Sequence, residues 1–497
     1  MKRNAGILLP ISSLPSKYGI GTFGIEAFNF IDFMERSGLH IWQILPLTLT
    51  SFGDSPYQSP SSRALNPYFI DLDLLEEDGL LVPGEYETLY WGSEKRVDYD
   101  ILFKKRYVVL KKAFSRFNRN DEEFKEFRNK GEYQDFAVFM ALKENHNYSA
   151  WYTWNDKFKN YSKIIEDEVL KKDDDLVEFY EWTQFIFLKQ FSRLKDYAHK
   201  KNISIMGDLP IYVAYDSVEV WKYPNLFQLD SNHVPTCVAG CPPDCFSLDG
   251  QLWGNPLYNW CYMKKDDYAW WKGRIKYNLK LYDLVRIDHF RGFAGYYSIP
   301  YGEKTARNGE WIKGPGADVF KGLKDLPIVA EDLGQLDDGF YKMMKEVGFP
   351  GMKIVIQGFN GDPNSIWKPS NYTENFFSYS GTHDSQTTRQ FIDELDDDKR
   401  EVFLNDLKEQ CGYFKLDYDD NFSNRDLTLK VCELNFMSPA EVAICPMQDF
   451  LAIGKEGRMN FPSTLSIYNW SWRMNKDVLD VSLANMLLGF VKESSRI

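Results

Sequence analysis

The most constraining feature of the sequence is a series of eight short apolar segments that alternate with longer segments of helical character. These segments are residues 5–10, 40–47, 203–208, 284–288, 328–331, 352–357, 376–380 and 441–446. Apolar runs of this length are typical of buried strands, and their alternation with helices favours a parallel sheet. Eight such units predict an α/β fold of the (β/α)8 TIM barrel type.

The first unit shows the pattern most clearly. Residues 5–10 precede a glycine-rich turn, and residues 25–37 then carry the apolar spacing of a helix, which Gly38 is expected to end. The second apolar segment follows at once. Strand, helix and strand in this order form the unit from which parallel sheets are built.

Two stretches interrupt the alternation. Residues 51–175 are dense in charged and aromatic residues with helical spacing, so we expect a mainly helical insertion subdomain after the second strand. Residues from about 224 to 260 are rich in turn-forming residues and predict a loop-rich insertion after the third strand. Residues 1–50 and 176–497 would form the catalytic barrel.

The overall charge excludes some classes of partner. The 497 residues contain 59 Lys and Arg against 72 Asp and Glu, which gives a net charge of −13. This balance disfavours nucleic acid and anionic membrane surfaces, and no apolar run approaches the roughly 20 residues of a membrane span. Seven cysteines are too few and too scattered for a disulfide scaffold, so a reducing cytoplasm is the expected location.

Acidic residues stand at or just after the ends of four predicted strands. They are Asp208 in GDLP, Asp288 in RIDHF, Glu331 in AEDLG and Asp384 in GTHDS. A single acidic residue at such a position is commonly a helix cap. The C-terminal ends of barrel strands converge on one face, however, so all four carboxylates should meet there and form an active site.

The residues next to these acids indicate which carboxyl groups are ionised and which keep a proton. Arg286 lies two residues before Asp288, on the same face of the strand, and its charge can keep one carboxylate ionised. A carboxyl group that is shielded from water and lacks such a partner keeps its proton to a higher pH. Retaining glycoside chemistry requires an ionised nucleophile beside a protonated acid. His289 and His383 could donate hydrogen bonds to sugar hydroxyls or to the backbone.

Long motifs in the sequence resemble a known family. GDLPIYV, RIDHFRGF, AEDLG and SGTHD, in this order, are similar to the four signature regions of the α-amylase clan, specifically its 4-α-glucanotransferase (amylomaltase) branch. SPYQSP, PPDCFSLDGQLWGNPLY, RMNFPST and NWSWR also resemble that branch. These motifs together span nearly the whole chain. Asp208 is followed by Leu, Pro, Ile, Tyr and Val, without the His of a typical α-amylase, and this difference favours the transferase branch.

The resemblance implies a role for each matching residue. Asp288 would be the nucleophile, Glu331 the general acid/base and Asp384 the carboxylate that stabilises the distorted sugar. Residues implied to bind the substrate are Tyr57, Asp208, Gln251, Trp253, Arg286, His289, His383 and Asn460. Ser385 stands where the family pattern has Asn, and Cys245 stands where it has a bulky residue.

The expected activity is transfer of a 1,4-α-glucan segment to the 4-hydroxyl of glucose or of another 1,4-α-glucan, by a retaining double displacement. Maltooligosaccharides and other 1,4-α-glucans would be the binding partners of a monomer or homodimer. A glucan hydrolase and a catalytically silent glucan-binding protein are the alternatives. Cys237, Cys241 and Cys245 lack the tighter CxxC spacing of zinc sites, so neither metal nor cofactor is expected.

Overall fold

The computed structural model describes residues 3–243 and 247–496. Cys245 therefore lies outside the described residues. The strands within them are β1 (Asn4–Leu8), β2 (Ile41–Gln43), β3 (Ser204–Leu209), β4 (Cys237–Cys241), β5 (Gln251–Pro256), β6 (Leu284–Ile287), β7 (Gly295–Pro300), β8 (Glu310–Lys313), β9 (Ile328–Ala330), β10 (Gly351–Ile354), β11 (Phe376–Tyr379) and β12 (Val442–Pro446).

The α-helices of the described residues lie before, between and after these strands. They are α1 (Ile25–Arg36), α2 (Leu72–Glu77), α3 (Tyr99–Arg116), α4 (Glu122–Asn129), α5 (Gln134–Asn145), α6 (Asp156–Lys159), α7 (Lys163–Lys172), α8 (Asp174–Lys200), α9 (Val218–Lys222), α10 (Trp260–Met263), α11 (Ala269–Leu281), α12 (Arg291–Ala294), α13 (Asp338–Val347), α14 (Thr388–Asp393), α15 (Asp397–Phe414), α16 (Asn424–Met437), α17 (Met447–Phe450) and α18 (Val481–Glu493).

Eight strands form a parallel barrel, as the sequence predicts. Their order is β10, β11, β12, β1, β2, β3, β6 and β9, and every paired neighbour is parallel. The N–H of Ala330 donates a 2.9 Å hydrogen bond to the carbonyl of Pro350, which links the two strands at the ends of this order. Each predicted apolar segment overlaps one of these strands, so the predicted fold class is confirmed.

Local sequence explains the first unit. All residues of β1 except Asn4 are buried, as expected for a strand covered on both faces. Helix α1 then ends at Arg36, and Gly38 adopts a φ of 69°, which a residue with a side chain rarely takes. This left-handed turn brings the chain directly into β2 at Ile41.

A second sheet was not predicted from the sequence. Strands β5, β4, β7 and β8 pair antiparallel in that order. Two of them lie within the stretch from 224 to 260, which therefore contains strands as well as loops. The pairing of Val238 with Ile299 joins positions 61 residues apart, so it depends on tertiary contacts that local periodicity does not reveal. Strand β5 carries Gln251 and Trp253.

Six of the helices, α2 to α7, lie within residues 51–175. Buried side chains there, such as Leu110 and Phe139, belong to the same hydrophobic cluster as Ile7 and Val285 of the barrel. The proposed boundaries of a separate insertion subdomain stay a prediction. No helix of residues 3–243 or 247–496 combines the length and apolar character required to cross a bilayer.

Candidate active site

Three adjacent strands bring the first three acidic residues together. Asp208 lies within β3, Asp288 directly follows β6 and Glu331 directly follows β9, and these strands are neighbours in the barrel. Asp384 lies in the loop after β11. All four stand at the C-terminal ends of their strands, the end at which barrel active sites form.

Arg286 bridges two of the carboxylates. Its Nη1 lies 2.7 Å from both oxygens of Asp208, and its Nη2 lies 2.9 Å from Oδ1 of Asp288. Asp208 and Arg286 are paired in the register of β3 and β6, and both are almost completely buried. Burial raises the pKa of Asp288, and the cationic guanidinium opposes that rise. The contact favours an ionised Asp288 carboxylate.

In the part of the chain that the structure describes, Glu331 forms no salt bridge, whereas Asp288 pairs with Arg286. Its side chain accepts hydrogen bonds from the backbone N–H groups of His289 at 2.7 Å and Leu333 at 2.9 Å. The residue is only 8% exposed, and burial raises the pKa of Glu331 to about 7; the charge of Arg286 opposes this rise and the negative charge of Asp288 adds to it. Glu331 can therefore hold a proton near neutral pH, as a general acid must.

Asp384 is held in the opposite protonation state. Its Oδ1 accepts a 2.8 Å hydrogen bond from the Asn460 amide, and its Oδ2 lies 3.2 Å from Nε2 of His383. Burial acts to raise the pKa of Asp384, but His383, the Asn460 amide and Arg286 outweigh it and hold that pKa well below its usual range. Asp384 is therefore an anion. Its side chain is 44% exposed, more than the 25% of Asp288.

Tyr57 connects two of these groups. Its hydroxyl lies 2.6 Å from Oδ2 of Asp208 and 2.8 Å from Nε2 of His383, and its ring stacks on the His383 ring at an interplanar angle of 14°. Tyr57 comes from the segment after β2, more than 150 residues from either partner in sequence. The predicted binding residues from opposite parts of the chain thus share one hydrogen-bond network.

Trp253 contacts both His289, whose backbone N–H binds Glu331, and Gln251. The indole ring of Trp253 meets the His289 ring edge to face at 4.9 Å, and the indole N–H donates to Oε1 of Gln251 at 3.1 Å. His289 has a φ of 46°, and burial lowers its pKa to about 4, so the imidazole is neutral near pH 7. Its buried Nε2 has no hydrogen-bond partner among the described residues.

Two further residues position this side of the site and were not predicted. Nε2 of Gln58 donates to the carbonyl of Trp253 at 3.3 Å and to the Asn255 amide oxygen at 3.0 Å, while Asn255 itself donates to the carbonyl of Val213 at 2.8 Å. Both residues stand inside the quoted motifs SPYQSP and GQLWGNPLY. The available signal was a polar residue one position after Tyr57 and another two positions after Trp253.

Metal-binding chemistry has no candidate in the described part of the chain. Within residues 3–243 and 247–496, no three or more His, Cys, Asp or Glu side chains are grouped so that they could hold a metal ion. Ser385 stands where the family pattern has Asn. Its hydroxyl accepts a hydrogen bond from the N–H of Thr382 at 2.8 Å and donates one to the Thr382 carbonyl at 3.0 Å. Ser385 therefore stabilises the loop that carries Asp384.

A family model described as 4-alpha-glucanotransferase matches residues 9–479, nearly the whole chain. The chain belongs to the 4-alpha-glucanotransferase family. A 4-alpha-glucanotransferase of Clostridium butyricum is 46% identical over 489 residues, which cover 96% of this chain and 97% of the relative. One of Streptococcus pneumoniae is 42% identical, with coverage of 100% and 98%.

Solved structures give the same result. An amylomaltase from Streptococcus agalactiae in complex with acarbose is 40% identical, with a TM-score of 0.93 over the whole of both chains. An amylomaltase from Corynebacterium glutamicum, 19% identical with a TM-score of 0.77 and coverage of 100% and 75%, shares the fold. The resemblance seen in the sequence is confirmed: the chain is an enzyme of the 4-alpha-glucanotransferase type that acts on α-glucans.

Proposed function

We propose that Asp288, Glu331 and Asp384 carry out glucan transfer by a retaining double displacement. One observation carries this assignment: the ion pair of Asp288 with Arg286 lies beside a buried Glu331 whose carboxyl group keeps its proton to a higher pH. Environments that separate the pKa values of two adjacent carboxyl groups define a nucleophile and an acid. The donor and acceptor are 1,4-α-glucans, including maltooligosaccharides.

In the first step, an oxygen of Asp288 forms a bond to the anomeric carbon of the donor. The bond from that carbon to the leaving glucan breaks, and the proton of Glu331 moves to the leaving oxygen. In the second step the acceptor 4-hydroxyl gives its proton to Glu331, its oxygen bonds to the anomeric carbon, and the ester to Asp288 breaks. Two inversions retain the anomeric configuration.

Asp384 acts on the charge of the transition state. The sugar ring gains positive character at its anomeric carbon, and an anionic carboxylate that is already held in place stabilises it without reorganisation. His383 and Asn460 orient Asp384 through their hydrogen bonds. Tyr57, Asp208 and Arg286 fix the same side of the cleft, and the free Nε2 of His289 is available to a sugar hydroxyl.

We place the acceptor glucan against Trp253 and Gln251, which lie on the side of Glu331 that carries His289. An aromatic face packs against a sugar ring, and bound glucan gains a high effective concentration that water does not. The partly exposed Trp253 ring therefore favours transfer over hydrolysis of the intermediate. Hydrolysis is the competing reaction of the intermediate, because it would use the same three acids with water as acceptor.

Incubation with maltotriose distinguishes transfer from hydrolysis. We expect glucose together with a ladder of longer maltooligosaccharides, while the total concentration of reducing ends stays nearly constant. A steady rise in reducing ends without longer products would establish hydrolysis and refute the proposal. Separation of the products by chromatography measures both quantities in one experiment.

Location and assembly complete the proposal. We propose a cytoplasmic enzyme, monomeric or homodimeric, with neither nucleic acid nor membrane as a partner. The excess of acidic residues supports the exclusion of polyanionic partners. Buried thiols at Cys411, Cys432 and Cys445 suit a reducing compartment. Light scattering at several protein concentrations would determine the oligomeric state.

A further inference from the structure

Asp449 is a buried carboxylate outside the set of acids that face the cleft. It lies in the one-turn helix α17, directly after β12, and its residue is completely inaccessible to solvent. A buried carboxylate is costly unless its oxygens are hydrogen-bonded, so its partners indicate what it stabilises. Those partners are neither substrate nor a cation.

Within the described residues, the side-chain hydrogen bonds of Asp449 all go to the two ends of one loop. Oδ2 of Asp449 accepts from the Ser380 hydroxyl at 2.6 Å and from the Thr388 hydroxyl at 2.7 Å, and Oδ1 accepts from the Thr388 N–H at 2.7 Å. Ser380 directly follows β11, and Thr388 is the first residue of α14. The intervening residues 381–387 carry His383 and Asp384. A single carboxylate thus joins the two ends of the loop.

The loop is tight between these ends. The hydroxyl of Ser385 accepts from the N–H of Thr382 at 2.8 Å and donates to its carbonyl at 3.0 Å. A Cβ added to Gly381 would lie 2.9 Å from this hydroxyl, closer than real Cβ contacts. Asp384 is itself 44% exposed, so apart from its contacts with His383 and Asn460 little packing holds it. Its placement depends on the backbone of this loop.

We propose that Asp449 is a positioning residue for glucan transfer, which clamps Ser380 to Thr388 and thereby holds the Asp384 carboxylate against the reacting sugar. The inference rests on the role proposed for Asp384. Displacement of a catalytic group by about 1 Å can cost about 100-fold in rate. Loosening the clamp should therefore lower kcat while leaving the binding of distant glucose units, and hence KM, nearly unchanged.

Thr388→Val removes one hydroxyl from the clamp, keeps the shape of the side chain and keeps the backbone N–H that binds Asp449. We expect a fall of about tenfold in kcat, with KM within about twofold. Thr388→Ser keeps the hydroxyl and should restore activity. Ser380→Ala removes the other hydroxyl and should behave like Thr388→Val.

Thr428→Val is the matched control. This buried threonine bonds to the carbonyl of Asn424 within α16, so the substitution should leave kcat unchanged.

The decisive measurement is a double-mutant cycle on α-maltotriosyl fluoride, with thermal unfolding midpoints recorded for every variant. In the Asp384→Asn background, Thr388→Val should cause no further loss of kcat, since the group that it positions is already removed. An equal loss in both backgrounds would overturn the clamp, and so would an equal loss in Thr428→Val. If Asp384→Asn alone kept full activity, the proposed role of Asp384 would fail instead.

Discussion

Nη2 of Arg286 lies 2.9 Å from Oδ1 of Asp288, while Nη1 of the same guanidinium contacts both oxygens of Asp208. One cation therefore serves two carboxylates in a buried site. The planar fork of an arginine presents a separate amino group to each carboxylate, whereas a lysine would bring a single ammonium on a longer, more flexible stem. The contact joins the candidate nucleophile to a residue that lies deeper in the barrel.

Arg286→Lys should shift the acidic limb of the pH profile of kcat/KM. Loss of the guanidinium contact weakens the main opposition to burial, so the pKa of Asp288 rises and the ionised nucleophile forms only at higher pH. We expect a displacement of the acidic limb by roughly one pH unit. Arg116→Lys, in a surface pair with Glu85, is the control, and an unshifted profile for Arg286→Lys would contradict the role given to this contact.

The alkaline limb should report Glu331. Burial raises its pKa to about 7, and the first step requires its protonated form. The rate of glycosylation by an unactivated glucan should therefore fall as the pH rises through neutrality. With a glycosyl fluoride, which needs less protonation of its leaving group, the alkaline decline should weaken. Rates measured from pH 5 to 9 on both donors test this; identical profiles would count against the assignment.

Asp288→Asn and Glu331→Gln should differ on an activated donor. Asparagine cannot form the ester intermediate, so Asp288→Asn should be inactive on every donor. Glu331→Gln loses only proton transfer, typically worth a factor of about 100 to 10,000, and should still form the intermediate from α-maltotriosyl fluoride. Fluoride release measures this step directly. Equal loss in both variants on this donor would show that the roles are wrongly divided.

Trp253→Ala should raise the ratio of hydrolysis to transfer on maltotriose. Removal of the indole takes away the proposed platform for the acceptor sugar, while water loses nothing. Reducing-end formation and longer products are measured together. Tyr413→Ala, an exposed aromatic residue on α15, controls for loss of a surface ring. An unchanged ratio in Trp253→Ala would assign the acceptor platform to another residue.

Chelators should leave activity unchanged, because the proposed chemistry requires only carboxyl groups. Dialysis against EDTA followed by a maltotriose assay tests this expectation. Loss of activity that zinc or calcium restores would show that a metal has a role.

The sequence sufficed for the barrel and its acids because both depend on local patterns. An apolar run such as 284–288 marks a strand by its own composition, and parallel strands must expose their C-terminal ends on one face. The positions of Asp288 and Glu331 at strand ends follow directly. The long motifs added the family, which the matches to complete relatives confirm.

Local sequence patterns did not predict the second sheet. Strands β4 and β7 each lack the strong apolar run of a barrel strand, and they pair across 61 residues at Val238 and Ile299. Such antiparallel pairing is determined by which segments meet in the folded chain, and the two strands alone do not specify it. The orientation of Trp253 in the cleft depends on this sheet.

The sequence by itself determined which carboxylates would converge, since the alternation of strands and helices fixes the face at which they lie. Only the tertiary structure decided how those carboxylates are charged and held. Tyr57 reaches Asp208 and His383 across more than 150 residues, and Asp449 joins both ends of the Asp384 loop from the helix after β12. Burial and hydrogen bonding arise from packing between distant segments, and they set the pKa values on which the proposed chemistry depends.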